Sequence, residues 1–331
     1  MQARSEIMLY PLKFKPVYKD YIWGGRNLEK LNKKLPDGNV AESWEISSHK
    51  DGMSIVENGE LAGKTLQQVI EDYGEEILGT SIKEKFGDKF PLLIKLIDAN
   101  KDLSVQVHPN DEYAKLYENG ENGKNEIWYI ISCKPGAKIV YGLKGNITKE
   151  GFLDSIKKNK IKDCLNYREV SPGDFIYIPA GTIHAIGEGI VIAEIQQTSN
   201  LTYRVFDYDR VDKDGNKREL HIDKAMEVVN FNSMENGQQE QSKISIGKSS
   251  TKQSKITSEY FNVDLYDIRY EVNETSDKNT FYIYVVVEGK GKVNYSDKSM
   301  DIDLGDSILI PTGLGDYSIE GQVKLLKTYV V

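Results

Sequence analysis

Cysteine is nearly missing. The chain of 331 residues holds two, Cys133 and Cys164. Two are too few for a disulfide framework, and their flanks carry no metal-binding spacing. Histidine is scarce as well, so any imidazole chemistry must draw on His49, His108, His184 and His221. Long apolar runs are absent: "FPLLIKLI" is the longest, far too short to span a bilayer. The opening "MQARSEIMLYPLKFKPVYKD" has no apolar core of secretory type. A reduced, cytoplasmic setting is the expectation. Basic charge is in deficit, with 43 Lys and Arg against 51 Asp and Glu and a net charge of −8. That balance argues against nucleic acid or an anionic membrane as the main partner. GxGxxG and Walker A patterns are also missing.

What the chain does have is strand language. "KFPLLIKLI", "LSVQVHP", "NEIWYIISC", "DFIYIPAG", "GIVIAEIQQTS", "FYIYVVVEG" and "DSILIPTG" are short, rich in Ile, Val, Tyr and Phe, and bounded by turn residues. This pattern points to a mainly β protein built as a sandwich or barrel. A few helices interrupt it: Leu66, Val69, Ile70, Tyr73 and Ile77 recur at helical spacing, and "TKEGFLDSIKKNKIKDCLN" sets Phe152, Leu153 and Ile156 on one face. No steady βαβ rhythm exists, which disfavours a doubly wound fold.

One phrase occurs twice. "GDFIYIPAGTIHAIG" at 173–187 and "GDSILIPTGLGDYSI" at 305–319 share Gly-Asp, an apolar run and Ile-Pro-x-Gly, and part where the first has His184 and the second Asp316. Two related β-barrels account for the repeat. Residues 236–256 turn to Ser, Gln, Asn and Lys and read as a surface linker with room for one strand inside. The expected organisation is a metal-binding domain over 1–235 and a small β domain over 257–331 that carries no metal ligands.

Gln106 and His108 lie two apart in "LSVQVHPND" and so share one face of a strand. Lys124 and Glu126 do the same in "GKNEIWYII", and His184 follows the Pro179–Gly181 turn. Gln106, His108, Glu126 and His184 supply two imidazoles, a carboxylate and an amide oxygen, a set suited to zinc, with manganese or iron(II) also chemically reasonable. His49 sits in a polar turn and His221 opens a helix; neither reads as a ligand.

These residues carry a resemblance. "FPLLIKLIDANKDLSVQVHPND", "GKNEIW", "PAGTIHAI" and "EIQQTSNLTYRVFDYDR" are similar to the signature stretches of type I mannose-6-phosphate isomerase (phosphomannose isomerase) in its short bacterial form, and "YIWGGRNL" and "ESWEIS" fit it too. The similarity is dense over 10–231 and weak beyond. It implies two cupin-type (jelly-roll) barrels with accessory helices, and a zinc-dependent enzyme that interconverts mannose 6-phosphate and fructose 6-phosphate. It implies one zinc ion on Gln106, His108, Glu126 and His184, a catalytic arginine at Arg204, and substrate handling by Ser104, Lys95, Lys124 and Glu194. The sequence departs from longer members at "TSNLTYR", where they tend to have Ser-Asp-Asn.

Isomerisation through an enediol needs an electrophile at the two oxygens, a base for the carbon-bound proton, and cations for the phosphate and the developing charge. Lys124 and Glu194 are both candidates for the base. Two other readings compete. One is an iron or manganese oxygenase using His108, Glu126 and His184; the other is a non-catalytic sugar-phosphate-binding cupin. The expected partner is a small-molecule sugar phosphate, with no nucleic acid and no membrane; the sequence leaves oligomeric state open.

Overall fold

The computed structural model describes residues 9–145, 147–212, 214–232, 242–276 and 278–330. The fold is mainly β, as the strand-rich sequence implies. Among the described residues no helix is long and apolar enough to cross a membrane. Cys133 and Cys164 are free thiols.

The described chain groups into two compact units. One takes residues 18–44 and 92–232; the other takes 9–17, 45–91 and 242–330. This differs from the expected blocks 1–235 and 257–331. The reason is pairing that sequence adjacency cannot reveal: the strand Leu12–Lys15 joins Ser307–Ile310, with Leu12 opposite Leu309. Part of the expected linker, 236–241, lies outside the described residues. The rest is not linker: Ile244–Gly247 and Ser250–Thr257 are paired strands. Few apolar groups are needed there, because only Ser250, Gln253 and Ile256 turn inward along the second strand. The two barrels expected from the resemblance are drawn by the strand pairing as open sheets of six and five strands in the first unit and ten in the second.

In the first unit the sheets face one another. Ile97, Trp128, Ile130, Ile176 and Ile192 of the six-stranded sheet pack with Ile139 and Ile186 of the five-stranded sheet. The other face of the five-stranded sheet presents Val105, Val107, Val140, Ala185 and Val205 to Phe152, Ala225 and Met226 on helices Lys149–Lys157 and Ile222–Val228. Strand alternation therefore turns Gln106 inward while Val105 and Val107 meet the helices. Thr148 caps the longer of these helices by accepting from the Gly151 amide.

In the second unit the expected helix Leu66–Leu78 begins with a reciprocal cap between Thr65 and Gln68. It buries Leu66, Val69, Ile70 and Ile77, but Tyr73 leaves helical geometry (φ −136°, ψ 37°) and Gly74 is buried beside it.

The doubled phrase makes the same turn twice. Gly173 and Gly305 have φ of 96° and 89°, the left-handed region where glycine carries no steric penalty. Asp174 accepts from the Ser171 amide at 2.9 Å, and Asp306 from the Asp303 amide at 2.9 Å. The strands Phe175–Ile178 and Ser307–Ile310 follow, each ending at a proline.

Candidate metal centre and substrate pocket

Register places the functional side chains in two cross-strand rows. In the five-stranded sheet Gln106 stands opposite Arg204 on one side and His184 on the other. In the six-stranded sheet Glu194 stands opposite Trp128 on one side and Lys95 on the other. Glu126 is two residues from Trp128 and shares its face. The His184 and Trp128 rings meet edge to face at 5.5 Å, so the two rows look at each other across the gap between the sheets.

His108, Glu126 and His184 converge. Each offers one donor atom, and these atoms lie within 4.8 Å of one another. All three residues are at most 1% exposed. His108 Nδ1 is 2.7 Å from the Leu201 carbonyl and His184 Nδ1 is 2.8 Å from the Thr182 carbonyl. A carbonyl only accepts, so each Nδ1 carries the proton and each Nε2 is left as a bare lone pair. Those Nε2 atoms point at Glu126, at 3.2 Å from His108 and 3.8 Å from His184. The Gln106 amide nitrogen is 3.4 Å from His184 Nε2, which brings the fourth expected ligand to the same point.

Electrostatics favour the ligand forms. Burial pushes the His108 imidazole down to about 3, and the neighbouring Lys124 charge adds to it. Burial also lowers His184, against the pull of Glu126. Burial opposes charge on Glu126, yet Lys124 and His108 hold its carboxyl well below the usual range. Two neutral imidazoles and an ionised carboxylate are the donors a divalent ion takes. The Lys124 ammonium pairs with this buried carboxylate, and the two bare Nε2 atoms that converge on it complete a donor set that fits a metal.

Lys124 reaches this group as the spacing predicts. Its Nζ lies 3.2 Å from His108 Nε2 and pairs with Glu126. Lys95 lies deeper in the wall. It sits 3.1 Å from Glu194 and 3.6 Å from Glu42. Each of those carboxylates is pinned by an indole: Trp128 Nε1 donates to Glu194 at 2.9 Å and Trp44 Nε1 to Glu42 at 2.7 Å. Burial works against the Lys95 charge, but Glu42 and Glu194 raise its pKa above the ordinary value. Burial, helped by the Glu126 charge, raises that of Glu194.

A cavity of about 260 Å³ opens onto these groups. That is slightly below the range of roughly 300–1,000 Å³ common for small-molecule sites. Lys95, Ser104, Gln106, Lys124, Glu194 and Arg204 all line it, with Tyr21, Trp23 and Trp128 as apolar walls. Arg204 Nε donates to Ser104 Oγ at 3.2 Å, and that hydroxyl is 3.4 Å from Gln106 Oε1. Every residue singled out from the sequence for catalysis, metal or substrate is thus in or beside one cavity. His49 and His221 stay out of it: His49 Nδ1 accepts from the Asp51 amide and His221 Nδ1 from the Arg204 amide. Glu42, Trp44, Trp128 and Arg218 were not singled out. "ESWEIS" held the only hint, a carboxylate and an indole two residues apart on one strand face.

The chain is similar to known proteins along nearly its whole length. The type I phosphomannose isomerase catalytic domain matches residues 11–129, and the mannose-6-phosphate isomerase cupin domain matches 251–330. Mannose-6-phosphate isomerase ManA of Bacillus subtilis is 40% identical over 321 residues, 97% of this chain and 99% of its own length. The mannose-6-phosphate isomerase of Streptococcus mutans is 34% identical over 323 residues, again 97% and 99% of the two chains. The crystal structure of a Bacillus subtilis mannose 6-phosphate isomerase superposes with a TM-score of 0.90 at 38% identity, covering 97% of this chain and 99% of that one.

Proposed function

The chain belongs to the type I phosphomannose isomerase family, and from that premise we propose that it interconverts mannose 6-phosphate and fructose 6-phosphate with one bound zinc ion. The observation that carries this reading is the buried His108–Glu126–His184 group opening into a cavity lined by Lys95, Lys124 and Arg204.

His108, Glu126, His184 and Gln106 would hold the ion, which supplies a Lewis acid for the two oxygens that exchange carbonyl and hydroxyl character. The chain's own groups do the rest. A base removes the proton from C2 of the aldose; the electron pair forms the enediol double bond, and the proton returns at C1. Glu194 suits the first step, since it lines the cavity and its raised proton affinity favours accepting a proton from carbon. Lys124, beside the ligating groups, suits movement of the proton between the two oxygens. Arg204 places a fixed positive charge near the enediolate, oriented by Ser104. Lys95 holds Glu194 in place and meets substrate oxygens. Trp23 and Trp128 exclude water from the walls.

We also infer two cupin-type jelly-roll barrels, since each copy of the repeated phrase enters an antiparallel pair through the same turn. On this reading the chemistry belongs to the unit of residues 18–44 and 92–232, and 257–331 carries no metal. A cytoplasmic setting accords with two free cysteines. The oxygenase reading has less support: a fourth ligand at Gln106 leaves fewer open positions, and the cations of the cavity suit an anionic sugar.

The test is a coupled assay on mannose 6-phosphate before and after chelation, with zinc, manganese and iron(II) added back. Turnover should vanish in the stripped protein and return best with zinc. Full turnover without metal would end the zinc reading.

A further inference from the structure

Arg218 lines the substrate cavity, yet neither the mechanism above nor the sequence reading uses it. Its position is built with care. Asp212 closes the "DGN" turn by accepting from the Asp214 and Asn216 amides at 2.9 and 2.8 Å. Val211 then bridges Lys217, which brings Arg210 and Arg218 back beside each other. Between them lies Asp207, only 6% exposed. Its carboxylate takes Arg218 Nε at 2.8 Å and Nη2 at 2.5 Å, and Arg210 Nη2 at 2.5 Å. Arg204 comes close as well, donating through Nη1 to the Glu219 carbonyl at 2.8 Å.

Two guanidinium groups therefore grip one buried carboxylate, with Arg204 within electrostatic reach of all three, which leaves local positive charge in a protein of net charge −8. The two-point grip of Asp207 fixes the Arg218 plane and occupies Nε and Nη2. Nη1 remains, on a side chain that is 22% exposed and borders the cavity. Order along the wall matters too. From the metal group it runs Gln106, Ser104, Arg204 and then the arginine cluster. A hexose 6-phosphate reacts at C1 and C2 and carries its charge at the far end.

We propose that Arg218 binds the phosphate of the substrate, with Asp207 as the residue that positions it. This rests on the isomerase reading for the identity of the substrate. The anion site itself does not depend on that reading. A planar, permanently charged donor held rigid by a carboxylate suits a dianionic oxyanion better than a flexible lysine would.

The experiment compares wild type with Arg218→Ala and Arg218→Lys in the intact, zinc-loaded protein. Two readouts are taken: steady-state kinetics on mannose 6-phosphate, and the inhibition constant of inorganic phosphate. The expected result is a rise in KM of roughly tenfold or more in Arg218→Ala, a matching rise in the phosphate inhibition constant, and a change in kcat of less than about threefold. Arg218→Lys should fall between, and Asp207→Asn should raise KM in the same direction. A KM and inhibition constant within about twofold of wild type would overturn the proposal. So would a loss confined to kcat, which is what a purely structural arginine would give. If Arg218→Ala does not fold, the lysine variant decides by the same two readouts. If wild type shows no turnover of mannose 6-phosphate, calorimetry with inorganic phosphate on wild type and Arg218→Lys still decides. Equal affinity overturns the anion site, whereas weaker affinity in the variant upholds it while the isomerase reading falls.

Discussion

Two rows of side chains occupy the same place in the two copies of the repeat. Set by register from the repeated turn, Trp128, Glu194 and Lys95 run across three neighbouring strands of one unit. Tyr284, Lys327 and Asp264 run across three strands of the other. The charge order is reversed: carboxylate then ammonium in the first, ammonium then carboxylate in the second. The first row borders a cavity, and its Glu194 holds Lys95 at 3.1 Å. In the second, Lys327 is taken up by Glu274 at 2.6 Å and lies 3.8 Å from the centre of the Tyr282 ring. Tyr282 itself stands where register puts Glu126 in the first copy, and Asp316, in place of His184, takes the Thr275 hydroxyl at 2.7 Å. One scaffold can therefore hold a buried ion pair beside a cavity or within a packed wall. A few inward positions decide which.

The comparison can be broken in order of expected effect. Glu126→Gln removes the charged member of the metal group and should abolish bound metal and lower turnover by about a hundredfold or more, read by metal analysis and coupled assay. Metal retention with full turnover would remove Glu126 from the metal group. Glu194→Gln keeps shape and the tryptophan contact but cannot take a proton; kcat should drop by roughly 10²–10⁴ while metal content stays near wild type.

The pH profile sharpens the same point. The folded-state pKa of Glu194 is raised, chiefly by burial, so its reactive carboxylate is lost as pH falls through that raised value. The acid limb of kcat should lie above the ordinary glutamate value of about 4.3. A limb at the ordinary value would remove Glu194 as the base. Arg204→Ala should cost on the order of 10²-fold in kcat, with the fold intact by circular dichroism. The smallest effect on activity belongs to the second row. Lys327→Met leaves Glu274 without its cation and should lower stability by up to about 3 kcal/mol in urea unfolding, with kcat within about twofold of wild type. A loss of turnover equal to that of Glu194→Gln would erase the distinction between the rows.

Much of the site was legible because its spacings are local. Gln106 with His108, and Lys124 with Glu126, are pairs two apart, so strand alternation alone sets each pair on one face. His184 was marked by its difference from the second copy of the phrase. The grip of Asp207 on Arg210 and Arg218 depends on a turn that returns the chain to itself, and composition does not announce it. The tryptophan pins on Glu42 and Glu194 depend on side-chain reach across strands. Residues 244–256 were read as linker with one strand inside, where two paired strands stand, because polar side chains hide a strand that buries only every third residue or so. The grouping of the chain was misread because its first strand pairs with one near its end.

That pairing has a consequence for how the protein is made. Leu12 leaves the ribosome early, but its partner Leu309 is synthesised 297 residues later. At about 5–20 residues per second, the first strand waits roughly 15–60 s for the edge it completes. Residues 18–44 and 92–232 can meanwhile assemble from chain already made. Over that interval Leu12 and Phe14, both buried in the finished protein, are apolar groups without their final cover. They are a natural place for a chaperone to act, and for a nascent chain to go wrong if synthesis stalls.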